Sequence, residues 1–183
     1  MANVNALQEP RFERLLATHL DAAWNLARWL TRDPQDADDC VQDACLRAWR
    51  FFDGFRGGDE RAWLLTIVRN SCYSFLERKR SQSAPLEYNV DVDSLQLQEG
   101  LDLPSDCETP EMQLLRQADA RRIEAAIRTL PPEYREVLVL REMEDLAYKQ
   151  IADIAGVPIG TVMSRLARAR GLLRRQLQTE DSP

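Results

Sequence analysis

Apolar residues recur every three or four positions along nearly the whole chain, and we find no convincing run of strand-like alternation. This spacing is typical of amphipathic helices. The pattern predicts helices over residues 11–30, 34–52, 61–80, 111–130, 132–144, 148–155 and 158–175. We therefore expect an all-α protein.

Local signals set some of these boundaries. Asp33 precedes Pro34, so a capping carboxylate is followed by a proline at the first helical position. The segment DGFRGGDE, residues 53–60, has three glycines within five positions and predicts a loop. The second helix therefore begins at Pro34, and a loop separates it from the third.

Composition changes sharply between residues 81 and 110. This stretch has seven acids, three prolines and no Lys or Arg. Such a segment is typical of a flexible linker. We therefore expect two small helical domains, residues 1–80 and 111–178, joined by an acidic linker over 81–110 and followed by a tail over 179–183.

The last two predicted helices are spaced like a helix-turn-helix. Ile151, Ala155 and Val162 supply apolar contacts between them, and the small Ala152 allows a close crossing. Gly156 falls at the tight turn, where a positive φ is readily adopted by glycine. We expect these helices to pack as a DNA-binding pair.

The side of the last helix opposite its apolar stripe combines small residues with arginines. At 100° per residue this side presents Gly160, Ser164, Ala167, Arg168, Gly171 and Arg175, flanked by Thr161, Met163, Arg165 and Arg174. Small residues permit close approach to a DNA major groove, and arginines reach phosphates or guanine edges. The alternative is a solvated, arginine-rich terminal helix.

The third helix shows a second unusual face. Its polar side carries Trp63, Thr66, Arg69, Asn70 and Tyr73. Exposed aromatic, amide and guanidinium groups favour stacking on unpaired bases and hydrogen bonding to their edges. The preceding loop, which contains Arg56, could pocket an extruded base. In the alternative interpretation the two aromatic residues simply cover the edge of the core.

The outer face of the second helix is mainly acidic. It presents Asp36, Asp39, Gln42, Asp43, Leu46, Arg47 and Arg50. An exposed leucine among acids indicates a docking face for a basic protein partner. Acids near a helix start also offset the helix dipole, so Leu46 is the more informative residue.

Composition excludes several other classes. The chain has one histidine and four cysteines without a CxxC pair, so a zinc site has few ligands and we expect no cofactor. It has no apolar run long enough to span a bilayer and no signal-peptide pattern, so we expect a cytoplasmic protein without membrane insertion. An all-helical enzyme is disfavoured because no nucleotide-binding glycine motif occurs and the acids do not converge.

With these residues assembled, the chain resembles a bacterial RNA polymerase sigma factor of the extracytoplasmic-function (ECF) type. The segments DADDCVQDACLRAWRFFDGFRGG, AWLLTIVRN and LPPEYREVLVLREMEDLAYKQIADIAGVPIGTVMSRLARAR resemble successive signatures of that family. The resemblance implies a sigma-2-like domain, a sigma-4-like domain and no catalysis.

The resemblance also assigns roles to residues. Asp36, Asp39, Gln42, Asp43, Leu46 and Arg47 would bind the coiled coil of the polymerase β′ subunit. The loop over 54–60, with Trp63, Arg69 and Asn70, would open the −10 element and hold a flipped base. Thr161, Ser164, Arg165 and Arg168 would read the −35 element in the major groove. The family further implies contact with the polymerase β flap, an acidic linker threaded through the polymerase, and regulation by an anti-sigma factor.

Net charge agrees with this interpretation. The chain has a formal charge of −6, which opposes autonomous binding to DNA. A subunit carried to DNA by a large polymerase needs only local basic patches. The alternative is an autonomous helix-turn-helix regulator, which would bind a duplex operator tightly without polymerase.

Overall fold

The computed structural model describes residues 4–82 and 110–179. Within these ranges the chain forms α-helices and one short 3-10 turn, with no strand. The helices are α1 (Val4–Thr31), α2 (Pro34–Phe51), α3 (Glu60–Gln82), α4 (Pro110–Thr129), α5 (Pro132–Glu142), α6 (Tyr148–Ala155) and α7 (Ile159–Thr179). The expectation of an all-α fold is confirmed.

Helices α1, α2 and α3 pack against one another and form the N-terminal unit. Their shared core includes Leu15, Leu26, Ala44, Leu65 and Val68, each almost fully buried. Helix α1 begins at Val4, earlier than the sequence pattern predicts, and contains Pro10. Because proline is common in the first turn of a helix, Pro10 made the helix appear to start near residue 11.

Carboxylate caps begin α2 and α3. Asp33 accepts a hydrogen bond from the backbone N–H of Asp36 at 2.9 Å, as the sequence predicts. Asp59 accepts one from the N–H of Ala62, also at 2.9 Å, at the start of α3. Each cap satisfies a backbone donor that has no partner inside its helix.

Helices α4 to α7 form the C-terminal unit, in which α7 packs against α4, α5 and α6. Gly156 ends α6 with φ +65°, a left-handed conformation that confirms the predicted turn. Val162, Leu166 and Ala169 form the buried stripe of α7. Ile159, the first residue of α7, is 44% exposed.

The two units also pack against each other. Helix α1 contacts α5, helix α3 contacts α6, and buried residues of both units belong to one continuous core. Residues 83–109, most of the predicted acidic linker, lie outside the described residues, as does 180–183. Among the helices that the structure describes, none is both long and apolar enough to cross a membrane.

Candidate nucleic-acid and protein interfaces

The outer side of α7, which we call the α7 face (Thr161, Ser164, Arg165, Arg168 and Arg175), lies on the surface of the C-terminal unit. Ser164, Arg168 and Arg175 are exposed, and Thr161 and Arg165 are half-buried. The Ser164 hydroxyl donates to the carbonyl of Thr161 at 3.0 Å, so it lies close along the helix. The predicted residues therefore share one accessible side of one rigid helix.

A shallow groove runs along this side toward α5. Ala167, Arg168, Gly171 and Arg175 line it together with Tyr134. The Arg168 guanidinium lies 3.5 Å from the Tyr134 hydroxyl. Tyr134 was not among the predicted site residues, because its helical position alone does not show that it borders the α7 face.

The α3 face (Trp63, Thr66, Arg69, Asn70 and Tyr73) begins in an aromatic cluster. The rings of Trp63 and Phe55 lie with centroids 4.8 Å apart, and the Trp63 and Phe52 centroids are 6.1 Å apart. Phe55 belongs to the loop that precedes α3, where Arg56 is exposed. Phe52 is buried, and Phe55 and Trp63 are half-buried and pack against the core, as the alternative interpretation of these aromatic residues expects.

Arg69 and Tyr73 are not exposed as the sequence pattern suggests. The Arg69 Nε donates to Glu136 Oε1 at 2.5 Å, and the Tyr73 hydroxyl donates to Glu136 Oε2 at 3.0 Å. Glu136 belongs to α5 and is fully buried. Sequence periodicity within α3 could not show that a second unit covers this side, and the expectation of a fully exposed row is corrected here.

Buried surroundings change the acidity of Tyr73. Burial and the neighbouring Glu136 carboxylate raise the pKa of the Tyr73 hydroxyl above its ordinary value, so this group remains a hydrogen-bond donor. Asn70 remains exposed, and its Oδ1 accepts from Arg69 Nη1 at 3.2 Å. The α3 face is therefore part accessible and part covered.

Asp36, which the sequence places on the outer face of α2, does not face the solvent. This carboxylate accepts from Lys79 Nζ at 2.6 Å, which ties it to α3, and its side chain is only 15% exposed. Asp39, Gln42 and Leu46 are exposed as expected, with Leu46 at 56%. The expectation of an outward-facing Asp36 is therefore corrected.

The remaining residues of this surface, which we call the α2 face (Asp39, Gln42, Asp43, Leu46 and Arg47), stay together. Asp43 and Arg47 form an ion pair of 2.8 Å one helical turn apart, with both side chains about half accessible. Trp49 and Phe51 are exposed beyond this pair, Phe51 at 65%. The α2 face therefore combines acidic groups with one exposed leucine, and two exposed aromatic rings lie beyond it.

An open groove between α1 and α2 extends the α2 face. Its lining includes Leu20, Trp24 and Val41, and Asp38 accepts from the Trp24 indole at 2.7 Å. The sequence pattern of α1 predicts no functional surface. Leu20, 41% exposed beside Asp21, is the signal that could have indicated a surface on α1.

Three cysteines lie in the N-terminal unit. Cys40, Cys45 and Cys72 are free thiols in the N-terminal unit, and Cys40 and Cys72 are buried. Over residues 4–82 and 110–179, no group of three His, Cys, Asp or Glu side chains is placed to hold a metal ion.

An all-α chain whose helix-turn-helix presents arginines is typical of DNA-binding transcription proteins. Two family models match this chain: Sigma-70 region 2 over residues 15–82 and Sigma-70, region 4 over residues 120–173. The first match ends with α3, and the second ends within α7.

Curated relatives extend the match over most of the chain. The RNA polymerase sigma-H factor of Pseudomonas aeruginosa is 32% identical over 168 residues, covering 91% of this chain and 86% of the relative. The ECF RNA polymerase sigma-E factor of Haemophilus influenzae is 32% identical over 154 residues, covering 84% and 79%. This chain therefore belongs to the sigma-70 family, among the ECF sigma factors.

Solved structures agree with this membership. The sigma factor RpoE of Bartonella quintana, solved in complex with the anti-sigma factor NepR, matches this chain with a TM-score of 0.71 and 28% sequence identity. The match covers 92% of this chain and 97% of the RpoE chain. CnrH, solved in complex with the cytosolic domain of CnrY, matches with a TM-score of 0.62 and 25% sequence identity. This match covers 95% of this chain and 91% of the CnrH chain. Both were solved in complex with a second protein.

Proposed function

We propose that this chain is a promoter-specificity subunit of bacterial RNA polymerase. It binds the core enzyme in the cytoplasm, recognises −35 and −10 promoter elements, and helps to open the DNA. It has no catalysis of its own. The observation that carries the proposal is the presence, in one chain of this family, of three separate surfaces suited to duplex DNA, unpaired bases and a protein partner.

The α7 face recognises the −35 element. Ser164, Arg168 and Arg175 are exposed on one side of a helix that follows the Gly156 turn. The adjoining small residues Ala167 and Gly171 let the helix approach base edges. An arginine in this position reads guanine by two hydrogen bonds to its major-groove edge.

The α3 face, with the loop over 54–60, recognises the −10 element. Trp63 and Phe55 offer aromatic surface for a base that has left the stack, and Asn70 offers an exposed amide. Stacking of this kind contributes roughly 1–3 kcal/mol per base. Such a surface favours single-stranded over duplex DNA, as promoter opening requires.

The α2 face docks on the β′ coiled coil of the core enzyme. Leu46 supplies the central apolar contact, and Asp39 and Asp43 supply negative charge for a basic partner. Asp36 contributes indirectly, since it joins α2 to α3 through Lys79. The C-terminal unit contacts the β flap.

An anti-sigma factor regulates the chain. Structural relatives of this family were solved with the anti-sigma factor NepR and with the cytosolic domain of CnrY. The groove between α1 and α2, with its acidic rim and apolar floor, is the surface that we assign to such a partner. It adjoins the α2 face, so one partner there would exclude the polymerase.

The test is transcription in vitro with bacterial core RNA polymerase on a library of randomised promoters. We expect specific initiation from a subset of sequences that share two elements. Asp39→Arg combined with Asp43→Arg should abolish co-purification with the core enzyme, because both changes place positive charge opposite a basic partner.

The matched control is Glu13→Arg with Glu77→Arg, two exposed acids of the same unit outside the α2 face. These changes alter the net charge equally and should leave core binding intact. Retained association in the α2 variant would refute the docking face. Absence of any specific initiation by the wild-type chain with core enzyme would refute the proposed function.

A further inference from the structure

Exposed apolar side chains occupy the start of α7, beside the polar residues of the α7 face. Ile159, the first residue of the helix, and Met163, one turn later, are 44% and 52% exposed. Ala167, the next residue at a spacing of four, is exposed as well. Residues four apart are neighbours on a helix surface, so these side chains form one strip, which we call the α7 apolar row (Ile159, Met163 and Ala167).

The α7 apolar row is separate from the buried stripe that holds this helix in the C-terminal unit. That stripe consists of Val162, Leu166 and Ala169. Gly160, which lies beside Met163 on the outer side, is exposed, and a Cβ added to it would meet no atom within 4 Å. The row therefore borders open surface and does not complete the core.

The position of the row matters because the first turns of a recognition helix lie nearest to the bases. In helix-turn-helix proteins, residues near the N-terminus of the second helix contact base edges in the major groove. Met163 precedes Ser164 by one residue and Arg168 by five, and both belong to the α7 face. The row is therefore continuous with the surface that we assign to the −35 element.

The major groove offers an apolar side chain one kind of partner. All four bases present hydrogen-bonding groups there, but only thymine adds an apolar group, its C5-methyl. A methionine side chain is flexible and polarisable, so it adapts its shape to such a group. Against a G·C pair the same side chain would cover donors and acceptors without bonding to them, which is unfavourable. An apolar side chain at this position therefore favours a T·A pair.

We propose that Met163 is a specificity-determining residue of the α7 face and reads the C5-methyl group of a thymine in the −35 element. Ile159 and Ala167 extend the apolar contact on either side of it. This inference rests on the proposed function of the α7 face. Arg168 lies five residues farther along α7, about 7.5 Å of helix axis or roughly two base-pair steps. The thymine therefore lies within about two base pairs of the guanine that Arg168 reads.

The size of the effect follows from the burial of one methyl group. Covering a group of this size in an apolar contact changes affinity about fourfold. The contribution of the methyl group should disappear when the Met163 side chain is removed, because the two groups contribute through the same contact.

The experiment uses the chain assembled with core RNA polymerase, and −35 duplexes whose sequence comes from transcription of the promoter library. Each thymine of the element is replaced in turn by deoxyuridine, which removes the methyl group and keeps every hydrogen-bonding group of the base. Competition binding measures the affinity of each duplex. We expect one position to weaken binding about fourfold and the others to change it little. This comparison needs no change in the protein, so protein folding does not enter it.

Met163→Ala identifies the side chain responsible. We expect this variant to bind the thymine and deoxyuridine duplexes equally at the sensitive position. The matched control is Met143→Ala, which removes another exposed methionine, located directly after α5 and outside the α7 face. The control should keep the preference of the wild-type chain for thymine.

Several results would overturn the inference. Selected −35 elements might contain no thymine near the guanine on which Arg168 acts, or deoxyuridine might have no effect at any position. A methyl effect of equal size in the wild-type chain and in Met163→Ala would show that another side chain reads the base. Weaker co-purification of Met163→Ala with core enzyme, with the methyl preference intact, would assign the row to a protein contact instead.

These outcomes are separable from failure of the proposed function. That function fails if the wild-type chain directs no specific initiation with core enzyme. Specific initiation from −35 elements whose affinity does not depend on thymine methyl groups would overturn this inference alone.

Discussion

Arg168 is the residue whose removal most directly tests −35 recognition. It is exposed on the α7 face and borders the groove with Tyr134. We expect Arg168→Ala to weaken binding of the polymerase-bound chain to a −35 duplex by about 1–3 kcal/mol, the range for a two-bond contact to guanine. The measurement is competition binding with duplexes that vary at single −35 positions.

Arg170→Ala is the matched control for that experiment. Arg170 lies two residues away on α7 but pairs with Glu142 of α5 at 2.6 Å, so its guanidinium is directed at the protein. The Arg170→Ala variant loses one positive charge, as Arg168→Ala does, but loses no base contact. Equal losses in the two variants would show that general charge, and not base reading, explains the effect.

Asp59 combines a helix cap with a contact between units. The N–H of Ala62 and then the Gln150 amide lower the pKa of the Asp59 carboxyl. A lowered pKa means that the folded state favours the ionised form. This contribution to the free energy of unfolding is present above about pH 4 and is lost as the pH falls further.

We expect Asp59→Ala to reduce the free energy of unfolding by about 1 kcal/mol, because α3 loses its cap. Asp59→Asn should lose less, since an amide oxygen also caps, but it should remove this residue's acid-dependent contribution. Urea unfolding at pH 7 and at about pH 2.5 measures both effects. An alanine variant as stable as wild type would contradict the capping role.

For single residues, the sequence predicted the local roles of caps and turns, but it did not predict which distant residues surround a side chain. The Asp33 cap and the Gly156 turn follow from local geometry, which a short segment contains in full. The neighbours of Asp36 and Arg69 lie 43 and 67 residues away in the chain. Helical periodicity shows which side of a helix is polar but not what later packs against it.

At the scale of elements, the turn between α6 and α7 sets the presentation of the α7 face. Gly156 has φ +65°, which non-glycine residues adopt at a cost of about 1–2 kcal/mol. We expect Gly156→Ala to lower the free energy of unfolding by about that amount. Thermal and urea denaturation followed by circular dichroism measure it.

Gly160 provides the comparison within the same motif. It lies in the first turn of α7, and a Cβ added there meets no atom within 4 Å. Gly160→Ala should therefore raise stability by up to about 1 kcal/mol, because alanine loses less backbone entropy in a helix. A loss of stability in both variants would mean that backbone conformation at residue 156 is not the cause.

Element boundaries were predicted where a cap or a turn marks them. Helix α6 begins and ends at the predicted residues 148 and 155, and α2 begins at the predicted Pro34. Helix α1 was predicted too short because Pro10 resembles a start signal. Helix α5 ends two residues early, and Asp145 follows with φ +48°, a conformation that its sequence did not indicate.

At the scale of the whole molecule, the sequence predicted two helical units but not their contact. Composition marks the change between residues 81 and 110, whereas the ion pairs that join the units use single glutamates in α4, in α5 and just after α5. Glu136 within an apolar run was the available signal. A charged side chain at a buried position of a helix requires a partner, and the partner of Glu136 is Arg69 of the other unit.

The net charge of the chain opposes binding to DNA in the absence of polymerase. With a formal charge of −6, the free chain should repel DNA overall, and its arginines act only locally. We expect the free chain to bind a promoter duplex weakly, at the level of a duplex with scrambled elements, and to bind specifically when assembled with core enzyme. Anisotropy titrations at two salt concentrations separate general attraction from specific recognition. Nanomolar binding by the free chain to one duplex sequence would instead identify an autonomous regulator, since that affinity requires no polymerase.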